Sequence, residues 1–387
     1  MPVSNKNLAI YIHWPFCLSK CPYCDFNSHV REEIDEAAWA NALTRELDHF
    51  RELSGPRTIT SVFFGGGTPS LMSAQTVEKL LGRIAQLWSP DVAMEITLEA
   101  NPTSVEAAKF RDFSAAGINR LSLGIQALND PDLKALGREH NVKEARAAID
   151  LSQKYFSRSS FDLIYARMGQ ALDDWAQELR QALTMSVGHL SLYQLTIERG
   201  TAFYQAHEKG RIILPGEDLS ADMYAVTQDI CADHGLGAYE VSNHAAHGQE
   251  SRHNLTYWTY GDYIGVGPGA HGRLVIDGEL HALSQHRSPE KWLKTVADRG
   301  HATDQKEGLT ATARAEEMIM MGLRLKRGID LMDFKGRVGQ EIENFIDHSS
   351  LQRLLELGYM EKDDHHLRAT AQGMPLLNSL LRQILIP

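Results

Sequence analysis

Cysteine is scarce in this chain. Only four occur among 387 residues: Cys17, Cys21 and Cys24 fall in one short stretch, and Cys231 stands alone. Disulfide scaffolds spread more cysteines along shorter chains, so a stapled secreted fold is excluded. Clustered thiols point instead to a metal held in a reducing compartment. Long apolar runs are missing too, and no stretch approaches the ~20 residues that span a bilayer. The first 14 residues lack the charged start, apolar run and small-residue cleavage site of a secretion signal. The chain therefore reads as cytoplasmic, without a transmembrane segment and with room only for transient membrane contact. Long basic runs are absent as well. The net charge is −11 at pH 7, which argues against nucleic acid as a partner. There is no low-complexity tract and no internal repeat beyond an alternation of strand and helix patterns.

That alternation fills the first two-thirds of the chain. Strand-like apolar runs at 8–14, 59–64, 93–98, 119–125, 161–166 and 189–196 are separated by helical patterns at 32–53, 74–88, 105–116, 142–155 and 173–185. Six βα units of this kind predict an α/β fold with a parallel sheet, closed into a partial (βα)6 TIM-like barrel. Parallel barrels carry their sites where strands end. Here Gly65-Gly66-Gly67, Glu99 and Gln126 stand at or just past such ends. The reading is one barrel over residues 1–240 and a connecting region over 241–302, rich in Gly, His, Tyr and Trp. A C-terminal winged-helix-like α+β module covers 303–387, with helices ending at Gly328 and Gly358, a small hairpin, and a last helix capped by Thr370. Residues 304–387 hold 11 Lys and Arg against 13 Asp and Glu, so a structural or protein-contact role is expected there rather than DNA binding.

The thiols are spaced C-x3-C-x2-C. Three thiolates on a four-iron cube leave one iron free to chelate a small molecule, and thiolate is the soft ligand such clusters use. A zinc knuckle is the alternative, with His13 or His29 as the fourth ligand. Carboxylates such as Glu99 and Asp162 suit hydroxyl and amino groups of a ligand, or are ordinary strand-end charges. Arg138 suits a carboxylate, or is a helix-terminal charge.

The cysteine spacing, with Tyr23 before the last cysteine, resembles the radical-SAM superfamily, whose members bind a [4Fe–4S] cluster and S-adenosylmethionine (SAM). So does the Gly-Gly-Gly-Thr-Pro run at 65–69. The blocks Glu99-Ala-Asn-Pro102, Gly124-Ile-Gln126, Gly137-Arg138-Glu-His140 and Asp162-Leu-Ile-Tyr165 are similar to the subgroup that holds the oxygen-independent coproporphyrinogen III oxidases and the haem chaperones. The resemblance covers nearly the whole chain. It implies a radical-SAM barrel, cluster ligands Cys17, Cys21 and Cys24, and a SAM site lined by Tyr11, Tyr23, Gly66, Gly67, Thr68, Glu99, Gln126, Arg138 and Asp162. One turn departs from the subgroup's Gly-Leu-Pro-Gly-Gln: this chain has Ala166-Arg167-Met168-Gly169-Gln170.

Three features separate the two branches. Phe26 stands where the oxidases carry a fourth cysteine. The first strand begins almost at once, without the oxidases' longer N-terminal arm. His253-Asn254-Leu255-Thr256-Tyr257-Trp258 matches the H-N-x-x-Y-W motif of the chaperone branch, although Ser251 stands where that branch often has a cysteine. The resemblance thus implies haem as cargo, His253 as a haem ligand, apo-haemoproteins as acceptors, and an electron donor for the cluster. A core histidine in a hydrogen-bond network is the bland reading of His253. The rival activity is oxidative decarboxylation of coproporphyrinogen III, started by reductive cleavage of SAM.

Overall fold

A computed structural model describes residues 6–385, so the first five residues of the stretch read for a secretion signal lie outside the description. Six parallel strands form the barrel: β1 (Asn7–Trp14), β2 (Thr58–Gly66), β3 (Ser89–Ala100), β4 (Arg120–Gln126), β5 (Arg158–Tyr165) and β6 (His189–Gln194). Helices α1 (Glu36–Ser54), α2 (Ala74–Leu87), α3 (Ser104–Ala107), α4 (Phe110–Ala115), α5 (Asp130–Ala135), α6 (Val142–Tyr155) and α7 (Leu172–Met185) connect them. Local chemistry starts these helices where they start. Ser73 caps α2, and Asn141 with Glu144 forms a reciprocal capping box on α6. The expected helix at 105–116 is split into α3 and α4.

Period-two alternation sorts the strand residues by face. Ile10, Val62, Leu98, Leu121, Leu163 and Leu190 enter one apolar core. The opposite face carries Tyr11 beside Phe63 beside Thr97, and Glu99 beside Ser122, with these neighbours in register. Each strand thus sends apolar groups outward under the helices and polar or aromatic groups inward.

Residues past 235 add to the same sheet. After α8 (Ala202–Glu208) and α9 (Glu217–Asp233), β7 (Gly237–Ala238) and β8 (Asn243–Ala245) pair antiparallel beyond β6. β9 (Tyr263–Val266) pairs parallel with β1. β10 (His271–Ile276), β11 (Glu279–Gln285) and β12 (Thr303–Gly308) follow antiparallel. The full order is β12-β11-β10-β9-β1-β2-β3-β4-β5-β6-β8-β7. Residues 241–302, expected as a connecting region, therefore supply strands to the main sheet. They also supply α10 (Arg252–Trp258) and α11 (Pro289–Arg299). The sheet runs past residue 303, where the sequence pattern placed the start of the C-terminal module.

That module has its own apolar core. Helices α12 (Ala311–Gly322), α13 (Leu331–Val338), α14 (His348–Glu356) and α15 (Leu377–Ile384) pack with a small sheet of β13 (Ile329–Asp330), β14 (Met360–Lys362) and β15 (His366–Ala369). Gly328 and Gly358 take left-handed φ of 76° and 74°, as turns past helix ends require. Thr370 does not cap the last helix. Its hydroxyl accepts from Gly373 N at 3.1 Å, in a turn before a short 3-10 segment, and α15 starts only at Leu377. Among the described residues, no helix is long and apolar enough to cross a membrane.

Candidate functional site

At the carboxyl end of the parallel strands lies a cleft with about 1040 Å³ of free space, part of it open to solvent. Its size suits a small-molecule or cofactor site. Cys17, Cys21, Cys24, Tyr23, Gly66, Gly67, Thr68, Glu99, Gln126, Arg138 and Asp162 all line it. Residues spread over 146 positions of sequence (17 to 162) meet there because every βα turn emerges at the same end of the sheet.

The cysteine loop hangs between two short strands, Phe16–Cys17 and His29–Val30, which pair parallel. The glycine run is clasped against it. Gly67 N donates to Trp14 O at 2.7 Å and Thr68 N to Phe16 O at 2.8 Å. A Cβ on Gly67 would stand 2.6 Å from Phe16 O, and one on Gly66 would stand 2.6 Å from the His13 ring. Glycine at 67 lets two backbones touch, and glycine at 66, with φ 113°, leaves room for the His13 ring.

The thiols are free of disulfides, and each has a hydrogen-bond partner, Cys24 Sγ meeting Ser28 Oγ at 3.9 Å. Arg138 Nη1 donates to Cys21 Sγ at 3.3 Å, and Thr68 Oγ1 to Cys17 Sγ at 3.5 Å. Burial pushes the Cys17 and Cys24 thiols up. Arg138 Nη2 also donates to Asn101 Oδ1 at 2.6 Å and Gly124 O at 2.8 Å, while its Nε is buried without a partner among the described residues. Asn101, Glu106 and Ser122 line the cleft too. Their roles escaped the sequence reading, although Asn101 sits in the block that ends at Pro102. Glu106 is buried and accepts from Asn101 N at 2.9 Å and from Ser70 Oγ.

Two carboxyl groups face the interior. Burial, with Asp162 nearby, pushes Glu99 up to about 8, against the pull of a hydrogen bond from Gly66. Burial likewise pushes Asp162 up to about 6, although bonds from Ser191 and Ser122 and the charges of Arg120 and Arg138 oppose this. Gln126 holds the strand end in a left-handed conformation, φ 73°, uncommon for a non-glycine residue.

Two expected site residues lie elsewhere. Tyr11 does not line the cleft. Its hydroxyl bonds His13 Nδ1 at 3.0 Å, and its ring stacks on Phe63. His253 lies toward the opposite, amino-terminal end of the strands, only 1% exposed. Ser61 Oγ bonds its Nδ1 at 2.9 Å, and its Nε2 meets Tyr257 OH at 2.6 Å. Burial lowers its pKa to about 3, so the ring is neutral. With both ring nitrogens engaged, His253 presents none to haem. His253 packs here as a core residue in a hydrogen-bond network. Ser251 caps α10 by accepting from Asn254 N at 3.3 Å, and Glu95 accepts from His253 N at 3.0 Å. His13 is likewise tied at both nitrogens, Nε2 bonding Asn27 O at 2.9 Å, so it offers no fourth ligand to zinc. Among the described residues, no three His, Cys, Asp or Glu side chains converge around a single ion.

The departing turn is built around Arg167, 2% exposed. Its guanidinium pairs with Asp132 at 2.7 Å and Glu178 at 2.6 Å and donates to Ile164 O at 2.5 Å. Arg167 N also donates to Gln170 Oε1 at 3.1 Å. A buried charge network thus closes this turn.

A parallel barrel with a thiol loop and a glycine clasp at the carboxyl ends of its strands is a cofactor-binding α/β enzyme-type fold. Residues 11–182 match the family model described as Radical SAM superfamily, and 309–376 that of the HemN C-terminal domain. Radical S-adenosyl methionine domain-containing protein 1, mitochondrial, of Bos taurus is 38% identical, covering 98% of this chain and 88% of its own length. Heme chaperone HemW of Haemophilus influenzae is 36% identical, covering 98% of both chains. The solved coproporphyrinogen III oxidase (HemN) of Escherichia coli has TM-score 0.82 at 20% identity, covering 98% of this chain and 90% of that one, which is a likeness of fold. The chain belongs to the radical-SAM superfamily, in the HemN-like subgroup near HemW. Membership implies a [4Fe–4S] cluster and SAM. The donor set fits: three unbridged thiols on one cleft wall, two of them already accepting hydrogen bonds.

Proposed function

We propose that this protein is a haem chaperone. It binds haem, holds a [4Fe–4S] cluster on Cys17, Cys21 and Cys24 and SAM in the adjoining cleft, and passes haem to apo-haemoproteins. The observation that carries this reading is end-to-end similarity to proteins named heme chaperone HemW, 36% and 35% identical over 98% of both chains. Phe26, exposed at the cleft mouth, supports it, because the oxidases' fourth cysteine falls at that position.

In this reading Arg138, among the described residues the only arginine lining the cleft, orients the carboxylate of SAM through its Nε, which has no partner among them, and holds the Cys21 sulfur through Nη1. Glu99 and Asp162 take the amino and hydroxyl groups, and the backbone of Gly66 and Gly67 packs close to the ligand. Tyr23 closes the wall behind Cys21. A cluster held on Cys17, Cys21 and Cys24 would supply one-electron chemistry, which calls for an external electron donor. The cytoplasm, or another reducing compartment, suits three free thiols.

Haem titration of the anaerobically reconstituted protein tests the reading, beside an assay with reductant, SAM and coproporphyrinogen III. Saturable haem binding with no protoporphyrinogen formed is expected. Robust decarboxylation would make it an oxidase instead.

A further inference from the structure

We propose that haem docks on the outer rim of the cysteine loop, with His29 as a ligand to its iron. This inference rests on the haem-chaperone reading.

The loop folds back so that Cys17 pairs with Val30, and Arg31 N donates to Cys17 O at 3.4 Å. Three apolar side chains are thereby left in solvent: Leu18 at 58% exposure, Phe26 at 61% and Val30 at 44%. Leu18 and Phe26 also line the cleft mouth. Apolar groups gathered on one loop at the entrance to a site mark a place where something binds.

Around them lies positive charge. Lys20 Nζ donates to Ser28 O at 3.3 Å, which sets it beside His29. Arg287 O accepts from Asn27 Nδ2 at 2.9 Å, which brings a second cation to the same turn. Neither Lys20 nor Arg287 has an ion pair among the described residues. Arg31, the third cation, is paired with Glu290.

His29 itself has the form a metal ligand needs. Its Nε2 bonds Asn27 Oδ1 at 3.3 Å, which assigns the proton to Nε2 and the lone pair to Nδ1. Among the described residues no group bonds Nδ1. Burial first, then the charges of Arg31, Lys20 and Arg287, outweigh the Glu290 carboxylate and lower its pKa, which favours the neutral imidazole.

The patch therefore offers apolar side chains for a flat ring face, free cations for two propionates and a neutral imidazole for the iron. Haem has this combination of demands. The enclosed His253 meets none of them.

The test titrates haem into the anaerobically reconstituted full chain. His29→Ala is expected to shift the Soret band and weaken binding by about tenfold or more. A Lys20→Glu/Arg287→Glu double variant is expected to weaken binding by about tenfold without moving the band. His29→Gln, which keeps the loop's bulk, must behave as His29→Ala does, with iron and sulfide content unchanged in all three. Unaltered haem affinity and spectrum in His29→Ala and His29→Gln would overturn the rim site while leaving the chaperone reading intact. No haem binding by the parent protein would overturn the chaperone reading itself. Unaltered haem binding with slower cluster reduction by an acidic electron-transfer protein would overturn the haem assignment and give the patch to that partner.

Discussion

Asn27 is bound to Pro268 across 241 residues of chain: its side-chain amide donates to Pro268 O at 2.9 Å. The same nitrogen donates to Arg287 O at 2.9 Å, and the Asn27 carbonyl meets His13 Nε2 at 2.9 Å. The loop that carries the three thiols is thus fastened to the segment after β9. Asn27→Ala leaves two carbonyls without this donor, at a cost of about 1–3 kcal/mol. Thermal unfolding should show that loss, and the reconstituted cluster should be lost faster to a chelator.

The two glycines Gly67 and Gly82 separate close approach from helix propensity. Alanine at 67 would drive a Cβ into the Phe16 backbone at 2.6 Å. Gly67→Ala should cost about 3 kcal/mol or more and lower the iron content after reconstitution. Nothing stands within 4 Å of a Cβ on Gly82, inside the exposed face of α2. Gly82→Ala should stabilise by about 1 kcal/mol. Paired melts check both signs.

Glu99 makes the ligand-free protein sensitive to pH. Its pKa is raised from 4.5 to about 8 in the fold. Between these values the folded chain keeps a proton that the unfolded chain releases, so stability falls as pH rises. Glu99→Gln should melt like the parent at low pH and above it at pH 9, by on the order of 3–5 kcal/mol. It should also bind SAM more weakly, which calorimetry measures. A parent whose stability rises through this window would contradict the account.

Arg167 pairs with the buried Glu178 and the half-buried Asp132. Arg167→Leu, which restores the residue common at that turn, should destabilise by about 3–5 kcal/mol because Glu178 is left buried and unpaired. Adding Glu178→Leu should recover much of the loss. Denaturant midpoints of the two variants decide it.

Removing the His253 ring frees Ser61 and Tyr257 from their partner. His253→Ala should therefore lower the thermal midpoint, at a cost of about 1–3 kcal/mol, and leave haem affinity and spectrum unchanged. A lost Soret shift in a variant that still folds would restore it as a ligand.

Much of the barrel is legible in the chain because period-two strands and 3.6-residue helices announce themselves locally. Gly66, Glu99 and Gln126 are legible for a related reason: they stand at strand ends, and strand ends of a parallel sheet share one edge, whereas Arg138, past α5, and Asp162, inside β5, are marked only by the resemblance. Tyr11 shows the limit. It sits in the right strand, but register puts it beside Phe63 and its hydroxyl on His13, below the cleft. Within residues 241–302, β8 and β9 are short and pair with β6 and β1, strands distant in sequence, so no period marks them.

The sequence by itself determined the three-thiol loop, the glycine clasp, the alternation that makes the barrel, and the absence of a spanning helix. Those follow from local spacing and from what short segments can bury. Only the tertiary structure decided what His253 and His29 have to offer. The motif around His253 says nothing of Ser61 and Tyr257, which occupy both of its nitrogens. His29 carries no motif of its own, yet folding leaves it half-buried near Arg31, Lys20, Arg287 and Glu290, with no bond to Nδ1 among the described residues. Whether an imidazole can bind a ligand depends on what already holds it, and those partners are brought by packing rather than by sequence.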